Sequence, residues 1–125
     1  MSENQIYSLL KKSMGVTVEA NKAIANNIAN INTKGYKRHY VPFEQVMDNT
    51  VTSSLKTTDR RHISTNNDKV KIKRDTTSSM REDGNNVDIE SEMTSQAANT
   101  MMYESLVRFA SGKLNGTSKV IKGGV

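Results

Sequence analysis

Residues 88–121 read DIESEMTSQAANTMMYESLVRFASGKLNGTSKVI, and this stretch decides the fold. Ile89, Met93, Gln96, Thr100, Tyr103, Val107, Ala110, Leu114, Thr117 and Ile121 follow one another at alternating spacings of 4 and 3, and none is charged. That alternation predicts a long amphipathic helix with one seam turned toward a partner helix. The flanking charges agree. Asp88 is placed to cap the N-terminus, with Glu90 and Glu92 in the first turns. Arg108, Lys113, Lys119 and Lys122 fall in the second half, the order a helix dipole favours, and Gly123-Gly124 supplies a stop.

Working outward, the other end of the chain carries the same signal. From about Asn4 to Asn32, Ile6, Leu10, Met14, Thr17, Asn21, Ile24, Ile28 and Ile31 keep the 3/4 alternation. They predict a second helix of about 28 residues and about 42 Å. Gly15 is a weak point costing about 1 kcal/mol. Each helix also has apolar residues off its seam: Leu9, Val16, Ala20 and Ala23 on the first, and Met102, Leu106, Phe109 and Val120 on the last. Two helices pairing through their main seams leave these second stripes uncovered. Neighbouring molecules, or a third packing element within the chain, must then cover them.

The middle is a poor source for that third element. Asp48–Gly84 holds Thr/Ser runs with scattered charge and no helical period. Only Lys69-Val70-Lys71-Ile72-Lys73 alternates at period two, which predicts a short edge-like strand, paired with the Arg61-His62-Ile63 region if paired at all. The expected organisation is an N-terminal helix with its following segment over 1–47, a variable polar middle over 48–84, and a C-terminal helix over 85–125. The fold class is mainly α: long N- and C-terminal helices forming an antiparallel, coiled-coil-like pair, with a poorly ordered or short-stranded polar middle.

Composition narrows the function. Leu, Ile, Val and Phe make up 25 of 125 residues, the lower edge for a chain that folds alone, because ordering each residue costs about 1–2 kcal/mol of backbone entropy. Cysteine is absent, which removes disulfides, thiolate nucleophiles and cysteine-based zinc sites. The N-terminus, Met1-Ser2-Glu3-Asn4, lacks a basic stretch followed by an apolar one, so no cleaved secretory signal is expected. The two histidines, His39 and His62, stand in polar basic sequence without metal-ligand spacing, and no phosphate loop or nucleophile elbow occurs. No catalytic, cofactor-binding or metal site is expected, and no small-molecule substrate. The net charge of +5 centres on the middle, where Lys69, Lys71, Lys73 and Arg74 offer a rival reading as a small basic nucleic-acid-binding protein. Asp68, Asp75, Glu82 and Asp83 dilute that charge and no aromatic residue lies nearby for stacking, which favours a solvated loop. A helix lying on a membrane surface fits less well, since neither helix has a lysine-rich polar face.

The most distinctive stretch is Ala25-Asn26-Asn27-Ile28-Ala29-Asn30-Ile31-Asn32-Thr33-Lys34-Gly35-Tyr36-Lys37-Arg38. Its alanines allow close approach of another helix, and its asparagines put amides where leucine or glutamate would serve a helix better. Buried, such amides fix register; otherwise this is an ordinary helix end with Asn32 or Gly35 in the left-handed cap conformation.

Ala-Asn-Asn-Ile-Ala-Asn followed by Thr-x-Gly-Tyr-Lys resembles the N-terminal signature of the axial proteins of the bacterial flagellum: rod, hook and hook-associated subunits. The matching positions are Ala25, Asn26, Asn27, Ile28, Ala29, Asn30, Thr33, Gly35 and Tyr36. Val41-Pro42-Phe43-Glu44, Asp59-Arg60-Arg61-His62-Ile63 and the segment Asp83–Met93, with Gly84, Asn85, Asn86, Val87 and Asp88, narrow the likeness to the proximal rod branch, as does the short length. One departure is Lys34, where this family often has proline. The resemblance implies a structural subunit of the basal-body rod, the periplasm-spanning axle that transmits motor torque and that motility requires. The terminal helices would pack together around a central channel. The subunit would be exported by the flagellar type III apparatus without a cleaved signal. Expected partners are the chain itself, other rod proteins, the adaptor at the rod base and the export gate. Candidate subunit contacts are Leu10, Ile24, Asn26, Asn27, Ile28, Asn30, Met93, Tyr103, Leu106, Val107, Phe109 and Leu114, with Asn27 and Asn30 expected to set register between subunits.

Overall fold

The computed structural model describes residues 3–47, 70–77 and 81–123. Two long helices dominate: α1, Glu3–Ala29, and the C-terminal helix Ile89–Ile121. Between them come a two-residue strand β1 at His39–Tyr40, helical residues 43–47 (α2) and a two-residue strand β2 at Lys73–Arg74, so the C-terminal helix is α3. Gly15 does not interrupt α1, as expected where one glycine is outweighed by a long run of helix formers. No described helix is long and apolar enough to cross a membrane.

α1 and α3 run antiparallel. Asn27 meets Glu92 near one end, and the Asn99 side chain donates to the Thr17 carbonyl at 2.8 Å further along. At 1.5 Å per residue, this register sets Glu3 opposite about residue 113, so the last turns of α3 extend past the start of α1. The start of α1 and the last turns of α3 therefore lie at one end of the pair, and residues 30–40 and 81–88 lie at the other.

The helices pack through lines that coincide only in part with the seams their apolar periodicity predicts. On α1 the contact line is Leu9, Ser13, Val16, Ala20, Ala23 and Asn27, with Thr17 and Ile24 also buried; this is the supposed second stripe. On α3 it is Glu92, Ser95, Asn99, Leu106, Ala110, Lys113 and Thr117, a largely polar seam. On α1 every member of that line sits one residue before the apolar seam, about 100° around the helix; on α3 Glu92, Ser95, Asn99, Leu106 and Lys113 do, whereas Ala110 and Thr117 belong to the seam itself. The main seam of α3 is exposed instead: Met93 60%, Leu114 58% and Ile121 79%. The physical reason is hydrogen bonding. Glu92, Asn27 and Asn99 are satisfied only when turned inward, and leaving such groups unpaired costs more than leaving a methionine in water. Buried apolar residues among those described are few: Val16, Ala23, Ile24 and Val87.

The strand expectation needs a second correction. Of the described part of the 69–73 stretch only Lys73 pairs, together with Arg74, and the strand lies against His39–Tyr40; the expected pairing with the Arg61–Ile63 region falls outside the described residues, as does the rest of 48–69. The ladder is antiparallel, with His39 opposite Arg74 and Tyr40 opposite Lys73. The Asp75 N–H donates to the Arg38 carbonyl at 2.7 Å, which makes His39 a non-hydrogen-bonded position of the ladder. Its own N–H and C=O consequently point away from β2, toward α1.

α3 begins as expected. Asp88 is extended (φ −110°, ψ 121°) and its Oδ1 accepts from the Glu90 N–H at 3.0 Å. Its helical residues end at Ile121, followed by Gly123 at φ +80°. α1 ends at Ala29, three residues earlier than the periodicity suggests. It then tightens through Ile31 N–H to Ile28 O and Thr33 N–H to Asn30 O into a turn closed by Tyr36 N–H to Thr33 O. Gly35 is the third residue of that turn at φ +71°, which glycine adopts without steric cost, so Gly35 rather than Asn32 is the left-handed residue.

Candidate assembly interface

The signature residues converge on one clasp joining α1, β1 and α3. Asn27 is fully buried and uses its whole amide. Its Oδ1 accepts from the His39 N–H (2.9 Å) and the Tyr36 hydroxyl (3.3 Å); its Nδ2 donates to the His39 carbonyl (2.7 Å) and to Glu92 Oε2 (3.0 Å). The amide thus acts as one more strand residue for the outward edge of β1. Glu92, also fully buried, pairs through its other oxygen with Arg38 Nε. A buried carboxylate is tolerated only with such a partner. The Tyr36 hydroxyl also meets His39 Nδ1 at 3.0 Å, and burial first, then the Glu92 carboxylate, pushes its phenol pKa above the usual value.

A second clasp lies beside the first. Asn85, fully buried, places Nδ2 at 2.9–3.0 Å from the carbonyls of Asn30, Ile31 and Thr33, in the turn that follows the end of α1. Its Oδ1 accepts from the Val87 N–H at 2.8 Å. Asn86 Oδ1 accepts from the Arg38 N–H at 2.7 Å, and Gly35 N–H donates to Asp83 O at 2.8 Å. Gly84, at φ +75°, lies against Gly35, so the sequence's two signature segments are one structural unit. Asp75 caps Thr77 N–H at 2.9 Å; that bond above all, with Arg38 and Lys37 nearby, holds its carboxyl below the usual range.

The candidate contact residues divide into three groups. Ile24 and Asn27 are buried within the chain. Leu10, Ile28, Asn30 and Leu106 are half-buried, and the Asn30 amide bonds back to Asn26 O at 2.8 Å. Asn26, Met93, Tyr103, Val107, Phe109 and Leu114 are exposed, Phe109 at 71%. Met101, Val120 and Ile121, outside that set, are as exposed as Phe109 or nearly so. The roles of Arg38, Asn85 and Glu92 escape an apolar-periodicity reading. The available signal is a charged residue one place before the apolar seam and an asparagine pair ahead of the N-cap. Of the basic middle residues, Lys73 donates to Gln45 Oε1 at 2.6 Å, and Lys69 lies outside the described residues.

The clasps hold the pair together with side-chain hydrogen bonds, while the larger apolar side chains of α3 face outward. That division belongs to a protein finished by its neighbours. No family model matches the chain. Its sequence is nevertheless 39% identical over 107 aligned residues to the flagellar basal body rod protein FlgB of Bacillus subtilis (strain 168), covering 82% of each chain. It is 32% identical over 117 residues to the protein of the same name from Aquifex aeolicus (strain VF5), covering 93% of this chain and 92% of the relative. Against the Aeromonas hydrophila protein the identity is 24% over 128 residues, covering 98% and 97%.

Proposed function

The chain belongs to the family of flagellar basal body rod proteins FlgB, and from that premise we propose how it works within the rod. It is a structural subunit of the flagellar basal-body rod, assembling through its terminal helices and serving motility by mechanical rather than chemical means. The observation that supports this most directly is the set of exposed apolar residues on α3, where Met93, Phe109, Leu114, Val120 and Ile121 are each more than half exposed. A monomer has no use for such a surface, whereas a polymer buries it.

The finer parts of the reading rest on family membership. The subunit leaves the cell through the flagellar export apparatus without a cleaved leader and takes its place in the periplasm-spanning rod. There it meets other rod proteins, the adaptor at the rod base and the export gate. The stretches 1–47 and 85–125 carry the shared helical layer, and 48–84 is the variable part. Of the two asparagines expected to set register between subunits, Asn27 spends its whole amide inside the chain, which leaves Asn30 as the register contact with neighbours.

Replacing the chromosomal gene tests this. Ile28→Asp puts a charge on a half-buried position of the helix pair and abolishes swarming and incorporation into purified basal bodies. Deleting residues 53–57, which lie outside the described residues, leaves both intact. Equal motility of the two strains overturns the assignment of assembly to the terminal helices.

A further inference from the structure

Asn115 is the only asparagine of the chain that is followed by glycine. It lies in the last turns of α3, which extend past the start of α1, and of residues 114–121 only Thr117 and Ser118 are even half-buried. The Asn115 side chain is exposed and has no hydrogen-bond partner among the described residues. Packing does not account for the glycine beside it. Gly116 is helical, its φ is not positive, and a Cβ there would meet nothing within 4 Å. Alanine would serve the helix better, as it would at Gly112, where the space is equally open. This end of α3 therefore opens more readily than the rest: two glycines weaken it and no partner helix holds it.

We propose that Asn115 is a site of spontaneous deamidation, gated by opening of the last turns of α3. The Gly116 amide gives up its proton to hydroxide and its nitrogen attacks Asn115 Cγ. A new N–Cγ bond forms, the bond from Cγ to the side-chain nitrogen breaks, and that nitrogen takes a proton from water and leaves as ammonia. The product is a five-membered succinimide, which water opens at either carbonyl to aspartate or isoaspartate. Glycine matters because no Cβ obstructs the approach of its nitrogen. The helix matters because it holds that same N–H on the carbonyl of residue 112, so the reaction waits for the turn to open. Asn99, further up the same helix, has neither feature: Thr100 follows it, and its amide donates to the Thr17 carbonyl of α1. Isoaspartate places an extra carbon in the main chain, which the helical repeat cannot absorb, so residues 116–121 leave α3 once it forms. The inference stands apart from the rod-subunit reading and does not depend on what neighbours the chain has.

The test follows the purified full chain in mildly alkaline buffer, beside a synthetic peptide of residues 111–125, which is too short to hold a helix in water. Samples taken over time are digested with pepsin in acid, which halts the reaction, and the fragments are mapped by mass spectrometry with separation of the aspartyl and isoaspartyl forms. In the full chain Asn115 converts before any other described asparagine, more slowly than in the peptide, and faster as pH rises. Gly116→Ala keeps the helix and suppresses the conversion in both chain and peptide. An Asn115 that survives in the full chain after the peptide has converted completely overturns the site. Equal rates in chain and peptide overturn the gating by α3, and conversion that persists unchanged in Gly116→Ala overturns the assigned chemistry.

Discussion

Asn27→Ala tests whether hydrogen bonds, rather than apolar burial, hold the helix pair. The substitution removes four bonds at once; the Tyr36 hydroxyl keeps His39 Nδ1, while the His39 N–H, the His39 carbonyl and Glu92 Oε2 lose the asparagine with no such substitute. Each buried group so stranded costs about 1–3 kcal/mol. His39 is only half-buried, so water recovers part of the loss, and a net destabilisation of about 3–5 kcal/mol is expected. Domains of ordinary stability hold about 5–15 kcal/mol in reserve. A chain with so few buried apolar residues stands near the low end, so the variant loses its native α1–β1–α3 contacts while keeping residual helix. Asn30→Ala is the control: its amide makes the same chemical bonds on an exposed part of the chain, to Asn26 O and Thr33 Oγ1, and its loss costs about 0.5 kcal/mol. Urea unfolding followed by circular dichroism, with amide exchange read at His39, measures both. If the two variants unfold within 1 kcal/mol of each other by that rough scale, the buried amide is not the clasp described.

Two further perturbations probe the same region. Lys34→Pro places proline second in the turn that Tyr36 N–H closes onto Thr33 O, where its fixed φ fits and its missing N–H breaks no turn bond; a gain of about 0.4–1 kcal/mol in urea midpoint measurements is expected, and a loss refutes the turn assignment. Tyr36 has its folded pKa raised, so the neutral phenol is the form the fold favours: that contribution is fully present below the ordinary tyrosine pKa of about 10 and is lost as pH rises through the elevated value. Absorbance titration should show a late tyrosine step that Tyr36→Phe removes; a late step that survives in Tyr36→Phe contradicts this.

What the sequence alone reveals follows from how periodicity works. Both long helices, the Asp88 cap and the antiparallel pairing are legible because 3/4 spacing and capping chemistry are local. The rotation of each helix is not, because apolar periodicity assumes that the apolar seam is the one buried inside the chain. Here that assumption fails at Glu92, Asn99 and Asn27, whose partners are a backbone carbonyl 82 residues away for Asn99, and His39 and Arg38 across the connecting segment for the others. Asn85 is instructive in the same way. It belongs to a recognisable signature, yet its work of collecting three carbonyls at the end of α1 appears only in three dimensions.

The placement of the clasps at one end of the pair also governs how the chain yields to force. Tension applied at Glu3 and Ile121, which share the opposite end, opens α1 from α3 like a zipper. It strains one lateral contact at a time through the sparsely bonded Ser13–Ala23 length and meets the Asn27–Glu92 and Asn85 knots last. Load directed along the helix axes, as twist and thrust would be in a shaft, instead divides across the whole length of the pair simultaneously. The same bonds therefore make a weak hinge to pulling at the ends and a stiff element to shear, so a subunit can be unravelled from those two helix ends yet bear load once laid in line with its neighbours.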